Sequence, residues 1–111
     1  MNQKGILYIV ATPIGNADDI SSRAIAILKS VSKIAAEDTR HSKILLRKLN
    51  IENSLKSYHD FSGEFAAQEI IDDLLNGQSI ALISDAGTPL ISDPGFQLVK
   101  LARSNLIEVL P

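Results

Sequence analysis

The chain has 111 residues, no cysteine and a formal net charge of −2, and 45% of its residues are hydrophobic. That is one domain's length with enough apolar material for a core. It excludes disulfides and thiolate metal sites, and the acidic balance excludes a surface that coats nucleic acid or membrane generally, though not a local basic patch.

Apolar runs and helical patterns alternate along the chain. Gly5 to Ala11 (GILYIVA) is a continuous apolar run, the mark of a strand covered on both faces. Pro13 and Gly15 cut it off, no cleavage-type ending follows, and no run reaches the length of a membrane span, so a soluble cytoplasmic protein is expected. Ile20, Ala24, Ile27, Leu28 and Val31 then share one helix face, with Asp18 or Asp19 as the expected N-cap. Lys33 to Ala36 is a short strand. A helix follows from Thr39 to about Leu49, capped by Asp38 or Thr39. Ser54 to His59 is a polar strand suited to a sheet edge. Ala67, Ile70, Ile71, Leu74 and Leu75 line a third helix that Gly77 stops. Ile80 to Ile83 is the second buried strand. Asp93-Pro94 supplies a cap and a first-turn proline for a fourth helix, in which Leu98, Val99, Leu101 and Ala102 face inward. Leu106 to Leu110 is the last strand.

Repeated β-α-β units with short connections imply an α/β fold: an open, mainly parallel five-stranded sheet with flanking helices. The first and fourth strands are the most apolar and are placed centrally. The chain closes on a strand without a final helix, so residues 1–111 are expected to be one domain of a longer protein.

In such sheets ligands bind outside the carboxyl ends of the strands. Three segments lie on that edge: Thr12 to Asn16 (TPIGN), Glu37 to Arg40 (EDTR) and the opening of Ser84 to Asp93 (SDAGTPLISD). The first has one glycine where pyrophosphate cradles need several; it is either an ordinary strand-to-helix turn or a backbone platform for a flat ligand. In the second, an acidic residue could hold ribose hydroxyls, and a plain helix cap explains Asp38 equally. The third is the most specific. Pro89 and Pro94 restrict the backbone, Gly87 and Gly95 permit close approach, and a pre-stiffened loop loses less entropy on binding. Asp93 is read as a cap, and Asp85 as a carboxylate able to meet a cation or a hydroxyl. Arg40, Lys43, Arg47 and Lys48, with His41, make one helix basic; this is either a solvated face or a phosphate-meeting patch. His41 and His59 lack partners at metal-ligand spacing, so no metal is expected, and no Ser-His-Asp arrangement can be argued from spacing.

The stretches LYIVATPIGN, AAEDTRHSKILL and SDAGTPLISDPG together resemble the ribosomal RNA small-subunit methyltransferases of the tetrapyrrole methylase family, and the likeness spans nearly the whole chain. The resemblance implies S-adenosylmethionine-dependent 2′-O-methylation of a cytidine in 16S ribosomal RNA. It also implies a second domain after Pro111, with the cofactor in the cleft between domains, and a homodimeric full-length protein. By position, Pro13, Ile14 and Gly15 match the family's first cofactor-side loop. Asp85, Ala86, Gly87 and Thr88 match the loop after the fourth strand, which approaches the methionine and ribose parts. Arg40, Lys43 and Arg47 correspond to RNA contacts by location alone. No residue is assigned as the catalytic base, and the domain by itself is expected to be inactive.

Two alternatives stand beside this reading. One is a porphyrin or corrin C-methyltransferase domain, against which TPIGN counts, because tetrapyrrole-modifying relatives carry a glycine-rich first loop ending in aspartate where Asn16 stands. The other is a non-catalytic nucleotide-binding α/β module.

Overall fold

The computed structural model describes residues 3–12, 20–36, 39–58, 63–84 and 93–111. Five strands, β1 (Leu7–Ala11), β2 (Lys33–Ala36), β3 (Leu55–Ser57), β4 (Ile80–Ser84) and β5 (Val109–Leu110), alternate with four helices, α1 (Ser22–Ser30), α2 (Thr39–Lys48), α3 (Gly63–Leu75) and α4 (Asp93–Ser104). The strands form one sheet in the order β3-β2-β4-β1-β5, and every pairing is parallel. The two most apolar runs, β4 and β1, lie inside the sheet and the polar β3 is an edge strand, as the composition predicts; the order also makes β4 and β1 neighbours.

Side chains on each strand alternate between two apolar layers. Leu7, Ala35, Ile80 and Leu82 pack with Ile70, Ile71 and Leu74 of α3 and Leu98 and Ala102 of α4. Val10, Ile34, Ala36, Ala81 and Ile83 pack with Leu28 of α1 and Leu46 of α2. Helices α1 and α2 therefore cover one face, and α3 and α4 the other. This is what right-handed crossovers demand when the chain moves from β1 outward to β3 and then back across to β5. A partly buried ion pair from Lys33 Nζ to Asp73 Oδ2, 2.6 Å long, ties the start of β2 to α3.

Three helices end in the same way. In each, one residue past the helix takes a left-handed or glycine-type φ: Asn50 at 56°, Gly77 at 94° and Leu106 at 60°. The residue after it donates a backbone hydrogen bond five residues back: Ile51 to Leu46, Gln78 to Asp73 and Ile107 to Ala102. This is the Schellman closure, and it turns orphan carbonyls inward onto satisfied partners.

Two expectations are corrected. The N-cap of α1 is Ser21, whose Oγ accepts from Ala24 N–H at 3.1 Å, rather than Asp18 or Asp19. Ser21 stands three residues before the amide it caps, and Ile20 ahead of it packs against the same cluster as Ile25 in the manner of a hydrophobic staple. The last strand is shorter than its apolar run. Leu106 belongs to the closure of α4 and is 81% exposed, Ile107 is buried, and only Val109–Leu110 pair with β1.

Candidate functional site

Ala11, the last residue of β1, pairs with Ser84, the last of β4. Ala36, the last of β2, pairs with Ile83 of β4 on one side and with Ser57 of β3 on the other. Adjacent strands lie about 4.8 Å apart. The segments that begin at residues 12, 37 and 85 therefore leave neighbouring strands at one level of one sheet edge.

β1 and β4 hold a special position on that edge. The chain leaving β1 goes to α1 on one face, and the chain leaving β4 goes to α4 on the opposite face. Two neighbouring strands whose connections part to opposite faces open a crevice between them, and this is where open α/β sheets bind ligands. Among the described residues the strands end in small side chains: Ala11 of β1 is exposed, and Ala36 of β2 is buried in the apolar layer under α1 and α2. Thr12, the first residue past β1, is a polar side chain only 1% exposed.

Pro13, Ile14, Gly15, Asp85, Ala86, Gly87 and Thr88, the residues matched to a cofactor site, lie outside the described residues, as do Glu37 and Asp38. What the structure shows is the pair of strand ends from which both loops spring, side by side.

The basic helix is fully described. Arg40, Lys43 and Arg47 are all exposed on α2, but they do not share one groove. Lys43 and Arg47 line an open groove of about 800 Å³ between α2 and β3, together with Thr39, Asn50, Glu52 and Ser57, and Arg40 is not part of its wall. Sequence reasoning missed this groove and one feature near it: the Ser42 hydroxyl is buried without a hydrogen-bond partner among the described residues. Ser42 sits three residues before Leu45 and four before Leu46, both buried. That spacing is the signal that placed it inside.

Residues 6–111 match the family profile of the tetrapyrrole (corrin/porphyrin) methylases. The chain belongs to the tetrapyrrole methylase family. Among relatives, it is 56% identical over 110 residues to the ribosomal RNA small subunit methyltransferase I of Pasteurella multocida, covering 99% of this chain and 39% of that protein. It is 53% identical over 111 residues to the protein of the same name from Xylella fastidiosa, covering 100% of this chain and 41% of that one. The chain thus spans about two-fifths of the length of these curated relatives. Among solved tetrapyrrole methylases, the uroporphyrin-III-C-methyltransferase of Thermus thermophilus superposes with a TM-score of 0.72 at 18% identity, over 98% of this chain and 48% of that one. The methyltransferase CobJ gives 0.68 at 14% identity, over 96% of this chain and 44% of that one. These two likenesses establish the fold.

Proposed function

We propose that this chain is one wall of the cofactor cleft in an enzyme that uses S-adenosylmethionine to methylate the 2′-hydroxyl of a cytidine ribose in 16S ribosomal RNA. The observation that carries the proposal is the register of β1 and β4. It starts the two most ligand-adapted loops of the sequence, 12–16 and 85–89, side by side at a crevice where the connections part to opposite faces. The relatives' names favour RNA over a porphyrin or corrin as acceptor, since the relatives at 50–56% identity carry the ribosomal RNA name and the porphyrin enzyme shares the fold at 18%.

The residues fit such a cofactor. Gly15 and Gly87 are residue types that permit close backbone approach to a flat ligand, and Pro13 and Pro89 are residue types that cut the entropy lost on binding. Asp85, one residue past β4, supplies a carboxylate suited to ribose hydroxyls or to a positive sulfur. When bound, S-adenosylmethionine supplies a methyl group already activated on a sulfonium. The work left to the protein is alignment of donor and acceptor, which rigid strand ends perform better than free loops. The rest of the cleft, the remainder of the RNA surface and a homodimer contact belong, in this reading, to the full-length protein.

The test is methyl incorporation. Full-length protein, labelled S-adenosylmethionine and small ribosomal subunits lacking the modification should yield RNA labelled on ribose, with the bond after the labelled nucleotide resistant to alkali. Label on a base, or label only on a tetrapyrrole precursor offered in parallel, would reject the reading.

A further inference from the structure

We propose that the groove between α2 and β3 seats the single-stranded RNA that leads to the methylation rim, with Lys43 and Arg47 gripping two successive phosphates. This rests on the RNA reading above and assigns that substrate a path. Helix α2, TRHSKILLRK, has four of the chain's 11 Lys and Arg residues and no acid. Helix stability accounts for Arg47 and Lys48, which lie in the last turn where the helix dipole favours cations, but not for Arg40 or Lys43. The first turn of a helix favours carboxylates and disfavours cations, yet α2 has no acid there and carries Arg40. Among the described residues neither Lys43 nor Arg47 forms an ion pair; the two pairs are Lys33 with Asp73 and Lys56 with Glu69.

The geometry fits a polyanion running along the helix. Lys43 and Arg47 are one turn apart, about 6 Å along the axis, and face the same groove. The groove runs from Thr39 at the start of α2 to Asn50 past its end, a span of about 16 Å. Its upper end, at Thr39 and Ser57, lies at the rim, because Ser57 is level with Ala36. Ile44, 55% exposed, lies beside Arg47 on the helix surface and offers an apolar face to an unstacked base. Glu52 at the lower end repels phosphate and sets where the strand must leave the groove.

The experiment uses full-length protein and small-subunit ribosomal RNA transcribed in vitro, with dissociation constants measured over a series of salt concentrations. The double variant K43Q/R47Q should bind RNA about tenfold or more weakly, and its salt dependence should flatten by about 1.4, or 0.7 per lost phosphate contact. Its affinity for S-adenosylmethionine should stay at the unsubstituted value. A control pair on other helices, K29Q/K100Q, should bind RNA like the unsubstituted protein, and Glu52→Gln should bind more tightly. Equal losses in both pairs would show a diffuse charge effect and overturn the proposal, as would a cofactor defect in K43Q/R47Q. If the protein methylates RNA and K43Q/R47Q binds it normally, the groove alone is wrong. If the unsubstituted protein binds no RNA, the function reading falls and the groove with it.

Discussion

Gly5 shows how a single residue can be constrained by something its neighbours in sequence do not reveal. Its amide donates to the Leu74 carbonyl at 2.7 Å, and a Cβ built on it would stand 2.0 Å from the Gln78 carbonyl oxygen. Backbone cannot yield as a side-chain tip does, so Gly5→Ala should destabilise the protein by about 2 kcal/mol or more, in the range of overpacked interiors; thermal unfolding checks it. Nothing in GILYIVA signals this, because the obstacle is the turn after α3, more than seventy residues later. Ser42 presents the opposite case. Its hydroxyl, buried and unpartnered among the described residues, costs about 1–3 kcal/mol relative to a satisfied one, and alanine is the better helix former. Ser42→Ala should therefore raise stability by about 1 kcal/mol. A loss of that size would mean the hydroxyl has a partner in the working protein.

At the scale of elements, the legible parts were those whose pattern depends on burial alone. Continuous apolar runs identified β1 and β4 as interior strands, and a 3.6-residue period identified α3. The last strand was misjudged because an apolar letter does not always mean burial. Leu106 is exposed because the closure of α4 needs a left-handed residue there, and an L-residue other than glycine or asparagine holds that conformation at a cost of about 1–2 kcal/mol. The other two closures use Asn50 and Gly77, which tolerate it better. Leu106→Gly should stabilise the protein by up to about 1 kcal/mol, a rise of a few degrees in Tm, since the lost side chain is 81% exposed. A fall in Tm would mean that Leu106 packs against something in the full-length protein. The α2 groove was illegible for another reason: its far wall comes from residues 50–57, and only the pairing of β3 with β2 brings that wall opposite Lys43 and Arg47.

For the whole molecule, strand order decides function. The convergence of three connections on one edge was readable from the sequence, because any parallel β-α-β chain puts its strand ends together. Which two strands are neighbours was not, since that depends on β4 inserting between β2 and β1. That insertion makes Ala11 and Ser84 partners and sends their connections to opposite faces. The proposed seat of the methyl donor is therefore the crevice between β1 and β4. The most direct test is calorimetric titration of the full-length protein with S-adenosylmethionine, repeated on Gly15→Val and Gly87→Val variants shown to be folded by an unchanged Tm. The unsubstituted protein should bind saturably and each variant should lose about tenfold or more in affinity, because a branched side chain would block close backbone approach. Absence of binding by the folded protein, or full affinity in both variants, would contradict that placement.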